Sequence, residues 1–182
     1  MTSEDRSPAF SVAPDDAFRI DGPAEAAPPA SAYPATEIAT GRAAVLRLPK
    51  RGASIAEPSG PPMGDAVERR LAVLRGDGPD GADLVAVERV EGPTLAQALD
   101  RAPLDAGALR ALTRRIAAGL KALHEAGVAH GALAPEAIVL PGGDPFRATL
   151  IGWGLDAAAR PDDDLRGFAG LARRAAGDAP AP

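Results

Sequence analysis

The chain carries two imidazoles, His124 and His130, and no cysteine. Disulfides, thiolate metal sites and cysteine nucleophiles are therefore excluded. Neither histidine has a carboxylate at a usual ligand spacing, so the pair does not read as a metal site. Among charged residues, Arg47 ends the apolar run Ala44-Val45-Leu46-Arg47, and Glu68 stands in the next periodic segment. The two are placed to form an ion pair between neighbouring elements, worth about 0–1 kcal/mol if exposed. Glu88 and Val90 lie in a second apolar run, Leu84 to Val90. The stretch richest in distinctive residues is His130-Gly131-Ala132-Leu133-Ala134-Pro135-Glu136-Ala137-Ile138-Val139-Leu140, yet little in it beyond His130 and Glu136 can donate, accept or move a proton.

The elements that must position these residues follow from periodicity. Ala43 to Leu48 reads as a strand ended by Pro49. Residues 50–64 form a Gly/Pro/Ser-rich loop. Asp65 is placed to cap a helix over Ala66 to Leu74, with Val67, Leu71 and Leu74 on one face and Gly76 ending it. Leu84 to Val90 is a strand broken by Gly92-Pro93, and Thr94 caps a short helix carrying Leu95, Ala98 and Leu99. The clearest helix runs from about Asp105 to Ala126. In it, Leu109, Leu112, Ile116, Leu120 and Leu123 recur at three- and four-residue steps, and Gly127 is placed to stop it. Ala137 to Leu140 and Ala148 to Ile151 read as strands of a hairpin. A last helix opens at Asp162 to Asp164, with Leu165, Phe168 and Leu171 on its apolar face. The pairs Arg69-Arg70, Arg114-Arg115 and Arg173-Arg174 sit beside helical apolar residues and read as solvated helix faces.

In this order of elements, the loop His130 to Leu140 resembles the catalytic loop of protein kinases, H-R-D-L-K-P-E-N-I-L-L, and the related H-G-D-L-x-P-x-N-I-L of aminoglycoside phosphotransferases. Leu123-His124-Glu125-Ala126-Gly127-Val128-Ala129-His130 is similar to the kinase L-H-x-x-G-I-x-H, and Gly152-Trp153-Gly154 stands where kinases carry D-F-G. Glu68 falls where kinases carry the helix-C glutamate. Arg47 falls where V-A-I-K carries its lysine, with Leu46 there if the register shifts by one. Val87 to Leu95 resembles a hinge, and Asp164 to Phe168 resembles the start of helix F. The resemblance covers about Ile38 to Ala176 and implies a degenerate bacterial-type serine/threonine pseudokinase. The implied fold is α+β, a two-lobe kinase-like arrangement with a reduced N-lobe sheet and a truncated, mainly helical C-lobe.

The same resemblance implies the loss of phosphoryl-transfer chemistry, which rests on positioning and on neutralising phosphate charge. The family's acceptor-orienting aspartate is Ala132 here, its charge-neutralising lysine Ala134, its metal-holding asparagine Ala137, and the D-F-G aspartate Gly152. The stretch corresponding to the phosphate-covering G-x-G-x-x-G, Ala35 to Gly41, has only Gly41. The segment from Gly154 to Asp164 lacks an A-P-E end and is shorter than an activation segment. By the resemblance His130 and Trp153 pack in a column linking the lobes, with the indole N–H needing a partner.

Composition bounds the rest. With 46% hydrophobic residues, much of it alanine, and 3% aromatics, the core should be lean. A net charge of −5 argues against a nucleic-acid partner. No apolar run approaches the roughly 20 residues of a membrane span, and no signal peptide is visible at the start. The expected division is a disordered Pro/Ala-rich tail over residues 1–34, with Val12, Phe18 and Ile20 as its notable apolar residues. A reduced N-lobe-like region over 35–92, a truncated C-lobe-like region over 93–176 and a frayed end over 177–182 follow. The function expected is a catalytically inactive, cytoplasmic pseudokinase that binds a protein partner as scaffold or regulatory subunit, with no cofactor. Two alternatives stand beside it: a nucleotide sensor or residual phosphotransferase using Arg47, Glu68 and the hinge at Glu88 and Val90, and a structural subunit of a larger assembly.

Overall fold

A computed structural model describes residues 17–27 and 30–176. Its first part is an antiparallel sheet of β1 (Phe18–Ile20), β2 (Glu25–Ala27), β3 (Ala30–Glu37), β4 (Arg42–Leu48), β5 (Arg70–Leu74) and β6 (Leu84–Glu88). The spatial order is β1-β3-β4-β6-β5, with β2 also on β3. The two-residue period of a strand sends alternate side chains to opposite faces. Along β4, Ala44 and Leu46 join Phe18, Tyr33, Leu84 and Ala86 on one face. On the other face Val45 packs with Ile55, Val85, Val87 and Leu155, and Arg47 projects from that face.

The helical part begins with α1 (Leu95–Leu99), whose cap Thr94 and Gln97 bond each other's backbone reciprocally. Asp105 caps α2 (Ala106–Glu125) by accepting from the Ala108 amide at 2.7 Å. Leu112, Ile116, Leu120 and Leu123 of α2 are buried as their spacing requires. Gly127, at φ 78°, turns the chain out of the helix. Strands β7 (Ile138–Val139) and β8 (Thr149–Leu150) pair as the expected hairpin, and α3 (Pro161–Ala175) packs on α2. Ile138, Leu140, Leu150, Trp153 and Leu171 complete the main core with the α2 stripe.

The structure departs from the sequence reading in five places. The part of the expected tail that is described is sheet: Phe18 is 4% exposed, and Tyr33 and Ala35 are buried beside it. Apolar alternation, small residues included, decided this against the proline content; residues 1–16 and 28–29 lie outside the described residues, as do 177–182. The helix over 66–74 is absent, and β5 stands there, paired with β6. Residues 75–83 between them hold three glycines, Gly76, Gly78 and Gly81, and suit a reversal of direction. The edge of β6 then offers a ladder that outweighs local helix propensity. Asp65 caps nothing; it receives a bond from Arg115 at 2.7 Å. Arg70 and Arg115 are therefore half-buried and bonded to the protein, Arg115 to the Ala148 carbonyl at 3.0 Å and Arg70 to the Ala56 carbonyl at 2.8 Å. In α3 the buried line is Asp164, Leu171 and Ala175, and Leu165 is 58% exposed. Finally, Ala35 to Gly41 is the end of β3 and its turn into β4. Arg47 pairs with Ala32, five residues below Glu37↔Arg42, so that turn lies roughly 17 Å from Arg47 along the strand.

Candidate functional site

Arg47 and Glu68 meet although no helix carries the glutamate. The segment before β5 runs beside β8 as a parallel bridge, Val67 to Leu150. Its Glu68 amide donates to the Leu150 carbonyl, and the Leu150 amide to the Ala66 carbonyl, each at 2.8 Å. This fixes Glu68 under the sheet. Arg47 Nη2 donates to Glu68 Oε2 at 3.0 Å, with the two side chains 5% and 1% exposed. The other carboxylate oxygen, Oε1, accepts from the Gly152 amide. The Glu68 carbonyl accepts from the Trp153 indole Nε1–H at 3.0 Å, the partner the indole required. The register ambiguity is resolved as well: Leu46 faces the opposite cluster, and Arg47 faces the site.

Arg70 clamps the segment Gly152 to Gly154 from the outside. Its guanidinium lies 4.1 Å from the centroid of the Trp153 ring, donates to the Ala56 carbonyl at 2.8 Å and reaches the Trp153 carbonyl at 3.4 Å. Burial pulls this guanidinium below its ordinary value, while Glu68 and then Glu57 oppose that. Gly154 suits this position by its backbone, and it leaves room for the Arg70 side chain. Its φ is +67°, and a Cβ would stand 2.6 Å from Arg70 Nη2.

The loop at His130 hangs from one carboxylate. Asp164, fully buried at the start of α3, accepts from the His130 amide at 2.9 Å and the Gly131 amide at 2.8 Å. Its Oδ2 also lies 2.8 Å from His124 Nε2. His130 is buried, with Nε2 at 3.0 Å from the Ile151 carbonyl and Nδ1 facing the Ala132 amide at 3.3 Å. Those partners require the proton on Nε2. Burial pushes the imidazole down to about 4, against the opposing charge of Asp164; the Ile151 carbonyl also opposes it, and Arg47 adds to it. The ring is thus a neutral core hydrogen-bonder at neutral pH. Among the described residues no group of three or more His, Asp or Glu is placed to hold a metal ion.

The remaining expected positions fall as follows. Ala132 and Ala134 are half-buried in the loop after α2, Ala137 is fully buried, and Gly152 is buried against Glu68. These four positions thus carry at most a methyl group. Glu88 is half-buried at the end of β6, 4.0 Å from Arg69, and its amide donates to the Arg69 carbonyl. Val90 follows in the connection to α1, which is tied to β7 by the Leu140 amide on the Pro93 carbonyl. Neither is hydrogen-bonded or ion-paired to Arg47 or Glu68; Glu88 bonds Arg69. Sequence reasoning missed Arg70 and the hub role of Asp164. For Asp164 a signal existed, since it shares the four- and three-residue steps of Phe168, Leu171 and Ala175, whereas Asp162 and Asp163 do not.

No known family model matches the chain, and no curated protein matches it in sequence. Among solved structures, 87% of the chain aligns with the crystal structure of Rad53 1–466 in complex with AMP-PNP, at 17% identity and a TM-score of 0.65. The chain spans 47% of that structure's length. At this identity the likeness is one of fold, and it supports the kinase-like reading: a mixed α/β chain with an antiparallel sheet followed by helices, similar in coarse outline to the Rad53 protein kinase.

Proposed function

We propose that the protein is a pseudokinase: a two-lobed, kinase-like frame that binds a protein partner and transfers no phosphoryl group. One observation carries the reading. Both Glu68 carboxylate oxygens are engaged inside the protein, one by Arg47 and the other by the Gly152 amide, and the side chain is 1% exposed. A kinase-like site needs an acid at the position of Gly152 to hold metal and a base at Ala132 to orient the acceptor. Here a backbone N–H takes the first place and a methyl group the second. Glu68 holds Gly152 through its carboxylate and Trp153 through its main-chain carbonyl. The nucleotide-sensor reading needs Arg47 accessible to a ligand, and its side chain is 5% exposed. A cytoplasmic location and a role as regulatory subunit or scaffold belong to the same proposal.

The test is turnover. Purified full chain incubated with labelled ATP and magnesium or manganese should release and transfer no phosphate above buffer. Turnover that Arg47→Ala abolishes would overturn the reading.

A further inference from the structure

The absence of the expected helix leaves a groove of about 590 Å³ beside β5. Its lining includes every residue from Val67 to Val73. Side chains on one strand face recur at every second position, so a groove lined by consecutive residues runs along the strand's edge. β5 is the last strand of the sheet, with β6 as its one strand partner. The Glu68 end is closed by Leu150, and from there to Leu74 the outer side pairs with no strand among the described residues. An open edge presents N–H and C=O groups at the spacing of an extended chain.

The lining away from β5 is Pro58, Pro61, Pro62 and Gly64, together with the buried Trp153. Prolines offer apolar rings and no backbone donor, so that wall suits side chains and leaves main-chain bonding to β5. The exposed charge lining the groove is basic. Arg69 is 67% exposed with Glu88 at 4.0 Å, whereas Arg70, also in the lining, is held against Trp153. The carboxylate that also lines the groove, Glu68, is buried and neutralised by Arg47.

We infer that this groove is where the partner docks, and that it takes an extended peptide segment that adds as a strand to β5, places apolar side chains against the proline wall and sets an acidic side chain on Arg69. The inference deepens the binding-module reading and rests on it for the existence of a partner. Strand addition supplies main-chain bonds for affinity, and alternate side chains supply selection.

The test uses a random peptide library displayed against the immobilised full chain, followed by amide shift mapping of the isotope-labelled chain with the peptide obtained. The expected peptides combine an alternating apolar pattern with Asp or Glu, and the shifted amides centre on residues 69–74. Arg69→Glu should weaken such a peptide at least about ten-fold, because it sets like charges together. Arg69→Lys should retain most of the binding. No enrichment, enrichment of basic or uncharged peptides, shifts centred elsewhere, or binding unchanged in Arg69→Glu each overturn the groove assignment. The two readings fail separately. ATP turnover would remove the pseudokinase reading whatever peptides bind, whereas capture of a partner that Arg69→Glu leaves intact keeps that reading and removes this groove.

Discussion

Replacing Glu68 by glutamine tests the centre of the structure. The change keeps an amide oxygen that can accept from the Gly152 N–H, and it removes the charge that Arg47 faces. With side chains 5% and 1% exposed, solvent cannot take over that role. Stranding one member of a buried pair costs about 3–5 kcal/mol. Glu68→Ala also orphans a buried amide, which adds about 1–3 kcal/mol. A domain of this size has about 5–15 kcal/mol in all, so Glu68→Gln should remove a large share of its stability in urea unfolding. The double variant Arg47→Met/Glu68→Gln should recover much of the loss, because it removes the stranded charge and keeps an acceptor for the Gly152 N–H. A Glu68→Gln variant within about 1 kcal/mol of the parent, the range of solvated pairs, would refute the reasoning. So would a double variant no more stable than the worse single one.

Other outcomes follow from the same contacts. His130 is held near 4 when folded, against 6.5 as the ordinary value. The unfolded chain therefore binds the extra proton first, and stability fully present above pH 6.5 declines as pH falls toward 4, by on the order of 3 kcal/mol. His130→Gln should flatten urea-unfolding stability across that window, and an unchanged slope would contradict the buried neutral ring. Asp164→Ala leaves two buried amides without their acceptor and should cost roughly 2–6 kcal/mol at about 1–3 per orphaned group. Asp162→Ala, at an exposed position, should stay within about 0.5 kcal/mol. Trp153 is the one tryptophan of the chain, so its emission reports on the clamp directly. Arg70→Ala should red-shift it and raise its quenching by acrylamide, with a loss of about 1–2 kcal/mol from the ring contact and the bond to Ala56. Emission identical to the parent would mean that Arg70 does not cover the ring.

The sequence made α2 legible because its stripe is long and its cap and stop are both present, in Asp105 and Gly127. The hairpin of β7 and β8 was legible for a similar local reason, the proline–glycine turn between two short apolar runs. The stretch over 66–74 was not. Val67, Leu71 and Leu74 fit a helix face, and pairing with β6 across the 75–83 connection is what makes Arg70–Leu74 a strand. The tail failed in the opposite way, because alternation built from alanines is faint when prolines are counted. At the site, the meeting of Arg47 and Glu68 was foreseen through the wrong element. A backbone bridge to Leu150 takes the place of a helix and delivers the same carboxylate. Arg70 was invisible because its burial depends on Trp153, which lies 83 positions away in sequence.

If Arg47 and Glu68 serve the frame alone, the protein holds no Mg-ATP. The most direct measurement is the melting temperature of the full chain with millimolar ATP, with and without magnesium. A ligand at 100 times its Kd adds about 2.7 kcal/mol, enough to raise the melting temperature by several degrees in a chain of this length. The account predicts no shift in either condition, and a magnesium-dependent rise lost in Arg47→Ala would contradict it.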